Sequence, residues 1–326
     1  MENSLKVSII IPVHNSDKTL DLCINSIVMQ NYENIECILI ENGSSDNSKT
    51  KCIEYTRKYN NVLFKSTEIM GVSNARNLGL EIASGDIIGF CDADDFLENN
   101  AVSTVIDEFL KNKDVFSVFG GFNIGTIDSK GNLIKTYRGL KDRYISKSEA
   151  MQLLIIDDSV MGSVWNKYYK AKLIKNKKFS DELSLCEDMH FNAIVLNSME
   201  DTKKIKLISN PLYCYMDSPV SVTHNVDIMF DMNDNLKYIT ALKKIENDCD
   251  LNSETIGCLK MKIACFAIDY LSNYRIDLNK QKKLLIELKN NYLYLIRNIF
   301  TNNLKWNIKR AIKGIFFLRE GYKYEK

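Results

Sequence analysis

The chain of 326 residues has only three prolines, fourteen glycines and three histidines. Set against many Lys, Asn and Ile, that scarcity carries little functional information. Its nine cysteines form no C-x-x-C pair, which argues against a cysteine zinc site. They read as reduced core thiols of a cytosolic protein. No apolar run is long enough to span a bilayer, and MENSLKVSIIIPV at the start has no cleavage pattern. Lys plus Arg number 43 and Asp plus Glu 42, so no global field argues for nucleic acid. PVHNSDK has no glycine, where a dinucleotide-binding fold would place G-x-G-x-x-G after its first strand. There is no internal repeat and no low-complexity linker.

What the chain has is alternation. VSIIIPV (7–13) and IECILIE (35–41) are continuous, β-branched runs of the kind buried on both faces of a sheet. VLFK (62–65) and the run ending at Phe90 follow, with helical spacing between them, as in Leu20, Cys23, Ile24, Ile27 and Val28. Strand and helix alternating in this way predict a largely parallel sheet with right-handed crossovers. VFSVFGGFNIG and NLIKTY flank a hairpin-like turn at 128–131. Helices are expected over 147–156 and from Glu187. KIKLIS and LYCYM read as late strands, and beyond about residue 226 the chain is helical with few turn signals.

SGDIIGFCDADDFLENN (84–100) organises this pattern. Asp92, Asp94 and Asp95 come directly after a short apolar strand. Carboxylates crowded on one turn repel each other unless a cation compensates them. A helix start that favours acids would account for one Asp but not for three. In an open α/β sheet ligands bind beyond the carboxyl ends of the strands. An Asp-x-Asp there suits a hard divalent cation that also grips a diphosphate. His14-Asn15, Glu41-Asn42 and Glu187-Asp188 lie at other strand ends or helix starts. Singly each is an ordinary turn or helix-start pair; their order along the chain carries the signal.

VSIIIPVHN, ENGSSDNS, GVSNARNLGL and FCDADDF, in that order, resemble the start of a family 2 glycosyltransferase with the GT-A fold. SLCEDMHF resembles the family's later Glu-Asp motif, VWNKYYKAKLI its Trp-Asn-Lys segment and SPVSVTHN its Ser-Val-Thr stretch. The resemblance covers residues 7 to 225. It implies an α/β, Rossmann-like, mostly parallel sheet with flanking helices, followed by a helical C-terminal region. The domain expected is 1–225, with a nucleotide-sugar half near 1–112 and an acceptor half near 113–225. Residues 226–326 form the helical region.

By the same resemblance Asp94 and Asp92 bind Mn²⁺ or Mg²⁺, and Asp92 also serves the ribose. Pro12, His14 and Glu41 line the nucleoside pocket, with Asn42 beside them. The family usually has Asp-Asp-Gly-Ser where this chain has Glu41-Asn42-Gly43-Ser44; uridine remains the expected base, because Glu41 can accept from a base N–H. Arg76 pairs with Asp95 or reaches the diphosphate. Asp188 is the base for the acceptor hydroxyl, with Glu187 its neighbour and His190 the alternative. Trp165 either stacks on an acceptor sugar or packs in the core. The function implied is metal-dependent, inverting transfer from a UDP-sugar to a glycan or lipid-linked acceptor in bacterial polysaccharide synthesis. The competing reading is an inactive relative that binds a glycan or partner on the same fold.

Leu304, Ile308, Ala311, Ile312, Ile315 and Leu318 make one apolar helical stripe. Lys309, Arg310 and Lys313 lie opposite with Trp306 and Phe317. Such a helix either docks on the domain or lies on an anionic membrane through 304–318, on the inner face of the cell membrane.

Overall fold

In the computed structural model, residues 4–156, 160, 162–217, 234–273, 278–297 and 304–321 are described. They form two compact units. The first comprises Met1–Lys147, Ser163–Glu182 and Ser198–Pro219; the second Ser148–Gly162, Leu183–Asn197 and Val220–Lys326. The boundary is thus not a single cut at 225: two short excursions of the chain, 148–162 and 183–197, join the later residues.

The apolar runs become strands because neither face of them carries anything that needs water. β1 (Val7–Val13) and β2 (Ile35–Glu41) are buried almost throughout. They pair in parallel from Val7 beside Ile35 to Val13 beside Glu41. β4 (Ile87–Phe90) pairs in parallel with β1 on its other side and stops level with Ile10. β3 (Val62–Ser66) is the outer strand, and its exposed positions include Lys65. The crossovers are α1 (Leu20–Val28), α2 (Ser48–Lys58) and α3 (Val72–Ile82). α3 lies close on β1, since a Cβ added at Gly79 would come within 2.3 Å of the Ile10 side chain.

The sheet continues past β4 with a change of direction. Its order is β3-β2-β1-β4-β9-β6-β10-β5, with β7 on β6 and β8 on β10. β5 is Phe96–Leu97, and α4 (Ala101–Lys111) leads into the long β6 (Val115–Ile127). β7 (Leu133–Arg138) closes the expected hairpin with it, antiparallel. β8 is Arg143–Ile145. β9 (Lys167–Lys170), which runs directly into α6 (Ala171–Ile174), is antiparallel to both β4 and β6. The two late strands expected over 204–216 are one, β10 (Lys204–Met216), parallel to β6. Its register shifts on either side of Pro211, which supplies no N–H to a ladder, so the proline bends the strand without ending it.

The second unit is helical: α5 (Lys147–Ile156), α7 (Glu187–Asn197), α8 (Asp234–Asp248), α9 (Ser253–Asn273), α10 (Leu278–Arg297) and α11 (Leu304–Gly321). α9 is central, with Leu259, Ile263, Ala267 and Ile268 all buried. Arg310 of α11 makes a bidentate pair with Asp269 of α9, and Tyr292 of α10 donates its hydroxyl to the Ala311 carbonyl at 2.6 Å. Gly314 lies against the Tyr292 ring. The stripe expected on this helix is therefore used in part for docking: Ala311 is buried while Ile312 and Ile315 stay exposed. Among the described residues no helix is long and apolar enough to cross a membrane.

Gly79→Ala tests the approach of α3 to β1. Ala is the better helix former by ~1 kcal/mol, yet its methyl has no room beside Ile10. We expect a net loss of roughly 1–3 kcal/mol in urea unfolding. A variant as stable as the parent would mean that α3 does not sit this close.

Candidate active site

The acidic loop is fixed by backbone and by one tyrosine. Cys91 still donates its N–H to the Ile10 carbonyl at 3.0 Å, the last ladder bond of β4. Asp92 then donates its N–H to the Tyr213 hydroxyl at 3.1 Å, and that hydroxyl donates to Asp95 Oδ2 at 2.7 Å. Asp95 Oδ1 accepts from the Met216 N–H at 2.7 Å. Asp95 is thereby drawn inward to β10. Burial, followed by the charges of Asp94 and Asp92, pushes it up to about 9. Asp94 remains partly accessible; burial first, and Asp92 second, raise it from 3.8 to about 6.

Arg76 does not pair with Asp95, as one expectation had it. Its Nη2 lies 3.0 Å from Asp92 Oδ1, an ion pair with the guanidinium side buried. The reason is that both oxygens of Asp95 are engaged by β10. α3 also carries Ser73 and Asn77, whose side chains hold the backbone of Phe179 and Ser180. The Phe179 ring lies 5.4 Å from the Arg76 guanidinium. One helix thus orients the charged group beside Asp92 and anchors the stretch that follows α6.

The second group of residues surrounds the carboxyl ends of β1 and β2. Pro12 is partly buried near the end of β1. His14 Nδ1 donates to the Asn42 carbonyl at 2.8 Å, and its Nε2 lies 3.2 Å from Asn15 Nδ2. Asn15, at a positive φ of 49°, also takes the Ser45 N–H on its side-chain oxygen. Glu41 is buried; it accepts from the Ser44 N–H at 2.5 Å and from the Ser66 hydroxyl at 3.2 Å. Asn42, 4% exposed, gives its amide to the Ile69 carbonyl at 2.7 Å and takes the Gly71 N–H at 2.8 Å. An Asp could not donate to Ile69, so Asn at this position clamps the loop between β3 and α3. Ile69 and Met70, on that clamped loop, are largely exposed.

Trp165, the candidate acceptor platform, is a core residue at 5% exposed. Its ring stacks on Tyr213 at 4.5 Å between centroids and meets Phe122 edge-on. Glu187 and Asp188 are the first residues of α7, in the helical unit, and both are partly exposed. Their charges, after burial, push the Cys186 thiol well up. His190 is held through Nε2 by Asp248 at the end of α8, 2.8 Å away. This engagement draws the Asp248 carboxyl down. SPVSVTHN (218–225) lies outside the described residues.

A cation fits the outer part of the acidic loop. Asp92 and Asp94 offer hard oxygen donors, and the repulsion from Asp92 that adds to burial in raising Asp94 is relieved by positive charge. Among the described residues no group of three or more His, Cys, Asp or Glu forms a cage. A cation held here therefore completes its shell with ligand and water oxygens. Tyr213 was not legible as a site residue: LYCYM alternates like any strand, and nothing in its spacing links it to Asp95.

A parallel sheet with an acidic loop at its carboxyl edge, flanked by two turns, defines the nucleotide-binding GT-A class. The model of "Glycosyl transferase family 2" matches residues 8–176, half of the chain, and the protein belongs to that family. It is 29% identical over 218 residues to glycosyltransferase GlyA of Streptococcus pneumoniae, across 64% of this chain and 30% of GlyA. It is 27% identical over 211 residues to the minor teichoic acid biosynthesis protein GgaB of Bacillus subtilis, across 64% of this chain and 22% of GgaB. The chain thus spans less than a third of either relative's length. Among solved structures it resembles S. aureus TarS 1-349 in complex with UDP-GlcNAc: TM-score 0.65, 18% identity, 99% of this chain and 93% of that one. It also resembles the mannosyltransferase PcManGT of Pyrobaculum calidifontis in complex with GDP-Man and Mn²⁺: TM-score 0.55, 14% identity, 96% and 88% of the two chains. At such identities these likenesses show the fold.

Tyr213→Phe keeps the stacking on Trp165 and removes the one hydroxyl that joins Asp92 to Asp95. It leaves a buried acceptor and a backbone N–H without partners, at a cost of roughly 1–3 kcal/mol. Denaturant unfolding should show that loss. Unchanged stability would remove the hydroxyl from its place in the loop.

Proposed function

We propose that the protein transfers a sugar from a nucleotide sugar, a UDP-sugar in the first instance, to a hydroxyl of a glycan or lipid-linked acceptor. The reaction is metal-dependent and inverting, and it serves the synthesis of a bacterial cell-surface polysaccharide at the cytoplasmic side of the membrane. The observation that carries the proposal is the Asp92/Asp94 pair beyond β4, in which burial and then the neighbouring Asp92 charge raise Asp94. The ligands named for TarS and PcManGT, a UDP-sugar and a GDP-sugar with Mn²⁺, support a nucleotide sugar and a divalent cation. GgaB supports a cell-surface product. In this reading the donor occupies the nucleotide half, near 1–112, and the acceptor the half near 113–225.

Asp94, assisted by Asp92, holds Mn²⁺ or Mg²⁺, which when bound offsets the charge gained by the departing diphosphate. Arg76 orients Asp92. Pro12, His14 and the Glu41 carboxylate line the nucleoside side. Glu41 keeps a lone pair on each oxygen beyond its bonds to Ser44 and Ser66, sufficient for a uracil N–H. Asn42 clamps the neighbouring loop and keeps one N–H and one lone pair for the base. Asp188 accepts the proton of the acceptor hydroxyl as that oxygen bonds the anomeric carbon and the bond to the diphosphate breaks. Glu187 orients the turn before α7. One displacement inverts the anomeric centre.

The cation role has a pH signature. A carboxyl whose folded value is raised binds its proton more tightly in the folded chain. Stability therefore falls as pH rises from 3.8 through about 6, where Asp94 ionises. A rise of that size corresponds to an order of 2–3 kcal/mol before relaxation. Without metal, Asp94→Asn should melt higher than the parent at pH 7.5 and match it at pH 4. With UDP and Mn²⁺ the parent should gain stability at pH 7.5 and lose that gain below about pH 6. The variant should gain nothing. An equal Mn²⁺-dependent shift in the variant would end the metal assignment.

The base assignment is tested by turnover. Asp188→Asn preserves size and loses the proton acceptor, so kcat should fall by ~10²–10⁴-fold while UDP-sugar affinity stays near the parent value. Glu187→Gln should be milder. Transfer by Asp188→Asn near the parent rate would place the base elsewhere.

A further inference from the structure

We infer that the protein docks on an anionic phospholipid surface through the outer face of α10, continued by the exposed side of α11. The sequence pointed to α11 alone. In the structure part of that helix is spent: Ala311 is buried and Arg310 is paired with Asp269. α10 carries the stronger face. Its buried residues Leu284, Leu288, Asn291 and Leu295 line one side. At 3.6 residues per turn its exposed residues fall within roughly 140° of the circumference. That arc holds Ile286 at 53% exposure and Leu293 at 65%, with Ile296, among Lys282, Lys283 and Arg297. α11 adds Lys309 and Lys313 with Ile312, which is 64% exposed, and Ile315.

No acidic residue is exposed on α10, and α11 carries no acid from Lys309 to Leu318. The one acid of α10, Glu287, is turned away to Lys243. Large aliphatics interleaved with cations and free of acids match the interfacial helix, which sinks its apolar groups at the acyl boundary and sets its cations among anionic headgroups. A second copy of the same face would oppose cation to cation, so charge disfavours a dimer through it. The inference goes beyond the transfer reaction and does not depend on it.

The test is sedimentation of the full chain with vesicles of phosphatidylglycerol and phosphatidylcholine, and with phosphatidylcholine alone. Binding should need the anionic lipid and weaken with salt. Ile286→Glu with Leu293→Glu should lower binding at least tenfold. Each of Lys282→Gln and Lys283→Gln should lower it about fivefold. All four positions are exposed, so the variants should melt like the parent. Three results would overturn the inference. One is absence of binding to anionic vesicles at low salt. Another is binding unaffected in the folded double variant. The third is a parent that self-associates and turns monomeric in that variant, which would make the face a contact between copies.

Discussion

Three carboxylates within one turn of chain, beside a buried strand, are the constraint on which the carboxyl end of the sheet depends. The fold separates them by environment. Asp95 is turned inward, where Tyr213 and Met216 hold it and burial carries it up to about 9. Asp92 is balanced by Arg76. Asp94 is left with desolvation and a like-charged neighbour. A residual imbalance at one oxygen pair is what a divalent ligand can relieve, and it is confined to the loop that opens at the carboxyl end of β4. The position of α3 follows from the same requirement. Gly79 lets the helix down onto β1, and Arg76, one turn earlier, then reaches Asp92.

The turns after β1 and β2 are also held by side chains that would otherwise be free to meet a ligand. His14, Asn15 and Ser45 tie the two turns together. Asn42 engages both ends of its amide with the loop from Ile69 to Gly71. Exchange of the family's usual acid for an amide is therefore a structural change first. An amide can clamp a carbonyl and an N–H at once, whereas a carboxylate can only accept. Its effect falls on the loop from Ile69 to Gly71, which lies between β3 and α3.

Much of the fold was legible because its signals are local. Continuous β-branched runs gave β1 and β2, and the polar turn at 128–131 gave the hairpin of β6 and β7. The acidic loop announced itself by charge density after an apolar run. What sequence could not supply was partnership across long separations. Arg76 had three carboxylates within reach, and its choice of Asp92 depends on Tyr213, more than a hundred residues downstream. Trp165 looked equally suited to a sugar and to a core, and the aromatic neighbours that decide it come from β6 and β10. KIKLIS and LYCYM read as two strands because a bulge is a property of two paired strands, and only one is visible in a local window.

Composition hid a further division. A net charge of +1 invites the conclusion that electrostatics play no part in what the protein meets. In each unit, however, charge is sorted. The sheet gathers carboxylates at the carboxyl end of β4. α10 and α11 collect lysines and arginines with exposed aliphatics, and their described outer faces carry no acid. Two fields of opposite sign cancel in the sum and not in space, because each acts within about a Debye length of its own surface. A chain whose reaction would draw on a doubly negative diphosphate and whose acceptor could be lipid-borne has use for both. A global balance near zero is what results when they are carried together.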